Sequence, residues 1–207
     1  MVFDRVIFNV LVMLFVIGSI WLFMRIKFNK RYTLRDQFLE KEREANTARS
    51  NKVETEYFFT PDTSVLPFNE SAEGDVAEAQ SKVLRVAEAT MIRFPEKRSN
   101  LELKSAYGVV NLETVTGYEE NYNRYIEALV SWAEALLGQE NKEDAVKVLE
   151  HTVELGSDYR KTYMHLADYY TDAKKLDALL DRVAEYFIDE GIKRQIVQYI
   201  MDRKERL

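Results

Sequence analysis

LVSWAEALLGQENKEDAVKVLEHT, residues 129–152, and YMHLADYYTDAKKLDALLDRVAEY, residues 163–186, are the two stretches on which the fold turns. At an offset of 34, Leu129 falls on Tyr163, Trp132 on Leu166, Ala133 on Ala167 and Leu136 on Tyr170. Ala145 then falls on Leu179, Leu149 on Val183 and Thr152 on Tyr186. Steps of three, one and three, followed by steps of four and three, place side chains along one face of each of two helices. The small residue shared at 133 and 167 lets the two helices of a hairpin approach closely.

Outward from this repeat the periodicity stays helical from about Asp75, and no strand is convincing. The spacing predicts helices near 75–93, 100–114, 119–138, 141–155, 158–173, 175–188 and 190–204. Pro95, the Gly117 region, Gly138, Gly156-Ser157-Asp158 and Gly191 punctuate them. Asp75, Asn141 and Ser157 or Asp158 are the candidate N-caps, each with an acceptor for open backbone amides. Helices 75–93 and 100–114 would form an irregular preceding hairpin, Val83, Val86, Ala87 and Thr90 on one and Ala106 and Val110 on the other. The last helix carries Ile192, Ile196, Tyr199 and Ile200 on one side and Lys193, Arg194, Arg203, Lys204 and Arg206 elsewhere. One apolar face and one solvated face are what a capping helix needs, and cations near its end suit the helix dipole.

A helix–turn–helix unit of 34 residues resembles the tetratricopeptide repeat (TPR). Leu129, Trp132, Ala133 and Leu136 stand at that family's first-helix positions in one unit, and Tyr163, Leu166, Ala167 and Tyr170 in the next. Ala145 keeps the second-helix alanine, whereas Leu179 replaces it, and Ser157 stands where the family closes with proline. The resemblance implies an all-α fold, a TPR-like array of antiparallel helical hairpins with a C-terminal capping helix. It also implies a binding mode, in which the first helices hold a peptide on a concave face. There the matching positions are Glu127, Val130, Glu134 and Leu137, then Lys161, Met164, His165, Asp168 and Asp172. The family's clamp for a terminal carboxylate is absent, since Glu134 and Asp168 replace its cations. Such a groove should prefer a basic or apolar segment; the alternative is that these acids only wet the surface.

Far upstream, Val6 to Met24 forms an uncharged run of nineteen residues closed by Arg25. As a helix it spans about 29 Å, close to the hydrocarbon thickness of a bilayer. Thirteen of the nineteen are Val, Ile, Leu or Phe, which favours insertion by several kcal/mol at roughly −0.3 to −0.6 kcal/mol each. The run is longer than a signal-peptide core and has no small-residue cleavage site beside it. It reads as an N-terminal transmembrane helix, with Trp21 at interfacial depth. Asn9 and the Gly18-Ser19 pair are its candidate helix contacts. Arg25, Lys27, Lys30, Arg31 and Arg35 form a basic collar that attracts anionic lipid, against only Arg5 and Asp4 on the other side. By the positive-inside rule the collar and the rest of the chain after it lie in the cytoplasm, and residues 1–5 form a short external N-terminus.

Between anchor and repeat, residues 25–56 make the collar and a charged linker, whose part from Gln37 to Arg49 either continues the membrane helix or is disordered. Residues 57–74 are a strap too rich in proline (Pro61, Pro67) for a helix. Its Tyr57, Phe58 and Phe59 either pack on the helical domain at 75–207 or bind a partner, since exposed contiguous aromatics are unfavourable in water.

Charge and composition narrow the function. Residues 36–207 hold 23 Lys and Arg against 34 Asp and Glu, a net of −11. No nucleic acid is expected as a partner of so acidic a domain. Absence of cysteine excludes disulfides, thiol catalysis and thiolate metal sites. Of the two histidines, His151 and His165, neither sits in a zinc-binding or catalytic pattern, and no phosphate-cradling glycine loop occurs. No metal or cofactor is expected, and the reading is not of an enzyme but of a membrane-anchored adaptor for a protein partner. The alternatives are a non-catalytic subunit of a membrane complex, or a receptor for protein import or secretion, whose layout of anchor and repeat domain is similar.

Overall fold

The structure, a computed structural model, describes residues 2–96, 98–186 and 189–207, with side chains for all of these except 2–10 and 29–32. Asn9, Lys30 and Arg31 thus have side chains outside the described set. Among the described residues eight α-helices account for most of the chain, so the fold is all-α: α1 Val2–Asn46, α2 Gly74–Ala87, α3 Asn100–Tyr107, α4 Val109–Gly138, α5 Lys142–Glu154, α6 Arg160–Tyr169, α7 Ala173–Glu185 and α8 Glu190–Lys204. The chain divides into two compact units, residues 1–51 with 100–110, and residues 52–99 with 111–207.

In the first unit, α1 runs unbroken for 45 residues. It is the one described helix long and apolar enough to cross a membrane. Its apolar side chains from Leu11 to Phe28 are all exposed, with Phe15 at 76%. Arg25 lies over the Trp21 ring at 5.1 Å and Lys27 over Phe23 at 5.0 Å, so these cations fold back along the apolar stem. Gly18 has no neighbour within 4 Å, and Ser19 donates to the Phe15 carbonyl of its own helix at 2.8 Å. Residues 37–46 are therefore a helical extension and not a disordered spacer. At the distal end α3 packs on α1. Ala45, Leu103 and Tyr107 are buried there, Lys104 Nζ donates to Glu42 at 3.1 Å, and Asn51 donates to the Ala106 carbonyl at 2.9 Å.

This arrangement corrects two expectations. Segment 100–107 packs on α1 instead of forming a hairpin with 75–93, and the expected face is not its packing face: Ala106 is half-buried and Val110 is 82% exposed. The helix break also lies at Gly108, not at Gly117, which sits inside α4. Gly108 has φ +81°, and a Cβ there would stand 2.9 Å from the Ser50 backbone, so only glycine turns the chain at this place.

In the second unit, the repeated positions form the core. Leu129, Trp132, Ala133, Leu136, Ala145, Leu149 and Thr152 are buried, and so are Tyr163, Leu166, Ala167, Tyr170, Leu179 and Val183. Ile196 and Ile200 bring the apolar face of α8 into the same core, with Ile192 and Tyr199 packed at its margin. The strap packs along α4: Phe58 meets Tyr118 at 6.2 Å, Phe59 meets Tyr122 edge-on at 5.6 Å, and Phe68 stacks on Trp132 at 4.8 Å. Buried Gln80 of α2 holds the strap by bonding both the amide and the carbonyl of Asn69, at 3.0 and 2.9 Å.

Two expectations fail here as well. α2 ends at Ala87, and Met91 and Ile92 form a strand (β2) antiparallel to Phe58–Phe59 (β1). Both residues of β2 are fully buried, and Pro95 disfavours helix beyond them. α6 stops at Tyr169, short of the expected 173, because Asp172 caps α7 through the Lys174 amide at 2.9 Å. Among the candidate N-caps, Asn141 accepts from the Asp144 amide at 3.4 Å, while Asp75 lies within the first turn of α2. Tyr159 occupies the N-cap place of α6, and Asp189 caps α8.

Replacing Trp132 by alanine removes the largest fully buried side chain together with its stack on Phe68. A loss of about 3–5 kcal/mol is expected, read as a lowered urea midpoint of the full chain in detergent.

Candidate functional site

Three helices contribute to the face where the sequence placed a groove. α4 and α6 are joined where Glu134 accepts from Lys161 Nζ at 2.9 Å and meets His165 Nε2 at 3.1 Å. Partial burial pushes the Glu134 carboxyl up, but the hydrogen bonds and charges of Lys161 and His165 outweigh it and hold the group below its ordinary value. α6 and α8 are joined by Arg160 to Gln195 at 2.5 Å, by Tyr199 OH to Asp168 at 2.9 Å, and by Arg203 to the Asp168 carbonyl at 3.0 Å. The partner numbers rise together, so these two helices run in the same direction. Arg203 also places a cation on the last carbonyls of α6, where the helix has no backbone donor to offer.

Between α6 and α8 lies a shallow cleft of ≈ 630 Å³, lined by Arg160, Met164, Arg194, Gln195, Gln198 and Asp202 among others. α6 and α8 carry six Lys and Arg against three Asp and Glu. Every other helix from α2 onward is neutral or acidic. Of these charges the cleft lining itself holds Arg160 and Arg194 against Asp202, a small positive excess in an acidic domain.

The structure distributes the expected groove residues unevenly. Glu127 is exposed on α4, but Val130 is 2% exposed and belongs to the core, so it faces no partner. Leu137 is half-buried at the core margin. Glu134 and Lys161 satisfy each other, Asp168 is engaged by Tyr199, and Asp172 is a helix cap. Met164 alone of the set lines the cleft. Tyr57, Phe58 and Phe59 pack within their own unit: Tyr57 meets Phe94 edge-on at 5.2 Å, and Phe59 is half-buried while Phe58 remains 44% exposed.

Arg93, which no sequence pattern singles out, occupies a second cleft, of ≈ 360 Å³, beside Tyr122, Tyr186 and Asp158. It lies against the C-terminus of α5, the negative end of that helix. The Leu155 and Glu154 carbonyls there accept from Tyr122 OH at 2.6 Å and Tyr186 OH at 3.3 Å, and the Ser157 carbonyl from Tyr163 OH at 2.6 Å. Burial pushes the Tyr122 hydroxyl up to about 12, so it remains a donor. Gly156 has φ +74°, and a Cβ would meet the Arg93 guanidinium. Charge complementarity at a helix end explains Arg93 without a ligand.

His151 of α5 lies mostly buried, its Nε2 without a hydrogen-bond partner and its Nδ1 3.9 Å from Glu154. Burial pushes its pKa below 6.5, against the opposing charges of Glu154 and Asp62. Among the described residues no three acids or histidines are placed to hold a metal. No family model, no curated protein and no solved structure matches this chain.

The pH dependence of stability follows in two windows. Folded His151 binds a proton less readily than unfolded His151, so stability present above pH 6.5 is lost as the pH falls through that value. Glu134, depressed from 4.5, contributes stability present above that value and lost at lower pH. His151→Gln should flatten the upper window alone and Glu134→Gln the lower alone, in urea midpoints measured across pH.

Proposed function

We propose that this protein is a single-pass membrane-anchored adaptor, whose TPR-like helical domain holds a protein partner at the cytoplasmic face. The observation that carries this reading is the uninterrupted exposure of α1 from Leu11 to Phe28 on a helix continuous with a soluble stalk. Eighteen consecutive solvated positions, most of them large and apolar, are unfavourable in water and favourable in hydrocarbon. The basic collar supports a cytoplasmic place for the stalk and the helical domain.

Burial of the 34-residue repeat positions supports the TPR-like reading, as does the parallel course of α6 and α8. The preferred partner changes with the geometry. Glu134 and Asp168 are engaged within the chain, while Arg160 and Arg194 line the cleft. The cleft favours an acidic extended segment over the basic or apolar one that the acids alone suggested.

Three measurements test the proposal. The chain should stay with membranes through alkaline carbonate extraction, and a cysteine introduced by Leu207→Cys should react with an impermeant maleimide only after permeabilisation. Release by carbonate, or labelling in intact cells, refutes anchorage or orientation respectively. A fluorescent Glu-rich peptide interrupted by prolines should bind the full chain in detergent. Arg160→Glu with Arg194→Glu should weaken it at least about tenfold and 0.3 M salt should weaken it further; unchanged binding removes the cleft as the site.

A further inference from the structure

Beyond the membrane span, α1 carries a second apolar feature that lipid does not explain. Leu34 and Phe38 are 58% and 54% exposed. Counting from Phe28, where the exposed apolar run ends, they stand about 9 and 15 Å further along the helix. The headgroup region adds only about 5–8 Å beyond the hydrocarbon on each side. These two side chains therefore lie in water unless another protein surface covers them.

Their register gives the direction of that surface. Leu34, Phe38 and Ala45 recur at steps of four and seven, the repeat of a single helix face. Ala45 is already buried where α3 packs on α1, and Glu42, four residues after Phe38, is held by Lys104 of α3. Past Lys41, the same face of α1 carries the uncovered apolar pair Leu34 and Phe38 toward the membrane. Charge then selects the occupant. Exposed Arg35 flanks the row and exposed Lys41 stands in it, seven residues after Leu34 and four before Ala45, whereas Asp36 and Glu40, each two residues from an apolar member, project from the opposite side of the helix. A second copy of this stalk laid alongside in parallel would set Arg35 and Lys41 against the same cations.

We propose that Leu34 and Phe38 form a docking stripe for an amphipathic helix with acidic flanks, contributed by a second membrane protein and seated in line with α3. The inference rests on the reading of Val6–Met24 as the membrane span, and makes the anchor's stalk a second binding element besides the α6–α8 cleft. Its partner differs in form as well: the stripe takes a helix by its apolar face, the cleft an extended segment.

The cysteine-free chain permits a direct test. Full-length protein in neutral-lipid nanodiscs carries a bimane fluorophore on Leu34→Cys, Phe38→Cys, Leu39→Cys or Ile17→Cys. The probes are a synthetic Leu-faced helix flanked by Glu and its twin flanked by Lys. The Glu-flanked helix should blue-shift the labels at 34 and 38 but not at 39, with binding weakened by salt. Leu34→Ala with Phe38→Ala should weaken that helix at least about tenfold, followed by fluorescence of the peptide itself. Equal response to both twins, or an equal response at 39, overturns the stripe. A disulfide dimer through Phe38→Cys assigns the face to a second copy, and quenching at 38 by a lipid-borne quencher assigns it to the bilayer; either overturns the proposal alone. Shielding of the Ile17→Cys label from that lipid-borne quencher overturns the anchor reading beneath it.

Discussion

Removal of the aromatic face of α4 from water is the constraint on which the second unit depends. Tyr118, Tyr122, Tyr125, Leu129 and Trp132 recur at helical steps, and Trp132 alone needs partners on several sides. The later helices cover one side of α4. The strap covers another, laying Phe58, Phe59 and Phe68 along it in order. The small and large positions that recur at an offset of 34 are then buried along α4 to α7.

Polar groups then fix how the later helices lie against one another. Apolar faces are tolerant of sliding, whereas a hydrogen bond is not, because a misplaced buried donor or acceptor goes unsatisfied. Glu134 with Lys161 links α4 to α6, and Asp168 with Tyr199 and Arg203 links α6 to α8, in half-exposed contacts worth at most about 1 kcal/mol each. At the end of α5 three tyrosine hydroxyls satisfy carbonyls that the helix itself leaves open. Acids that a sequence offers as a binding surface are here mostly spent on holding the helices in register. Arg160 and Arg194 stand instead in the lining of the cleft between α6 and α8.

Much of this was legible in the order of residues. The 34-residue offset located most of the core positions, and Ile196 and Ile200 marked the packing face of α8, because periodicity at helical spacing reports directly on burial. Strand β2 was not legible: Met91 and Ile92 follow a helical stretch without a break, and only pairing with Phe58 and Phe59 makes them a strand. Gly108 and Gly117 look alike in sequence, and only the approach of the Ser50 backbone makes the first a turn. Val130 shares the spacing of Glu127 and Glu134 yet is buried, since face membership on a densely packed helix depends on how many neighbours surround it. Arg93 carried no sequence signal, being defined by the end of a helix more than fifty residues away.

By itself the sequence determined that the chain is α-helical, that its N-terminal helix is apolar enough to cross a bilayer, and which repeated side chains must leave water. These are properties of composition and period, which act locally. Tertiary structure decided which charges are paired within the chain, that the helix continues to Asn46, and that α3 packs on it. Those outcomes depend on which groups meet across tens of residues. Glu134 changes from a site to a strut as soon as Lys161 is beside it, and no spacing rule along the chain contains that meeting.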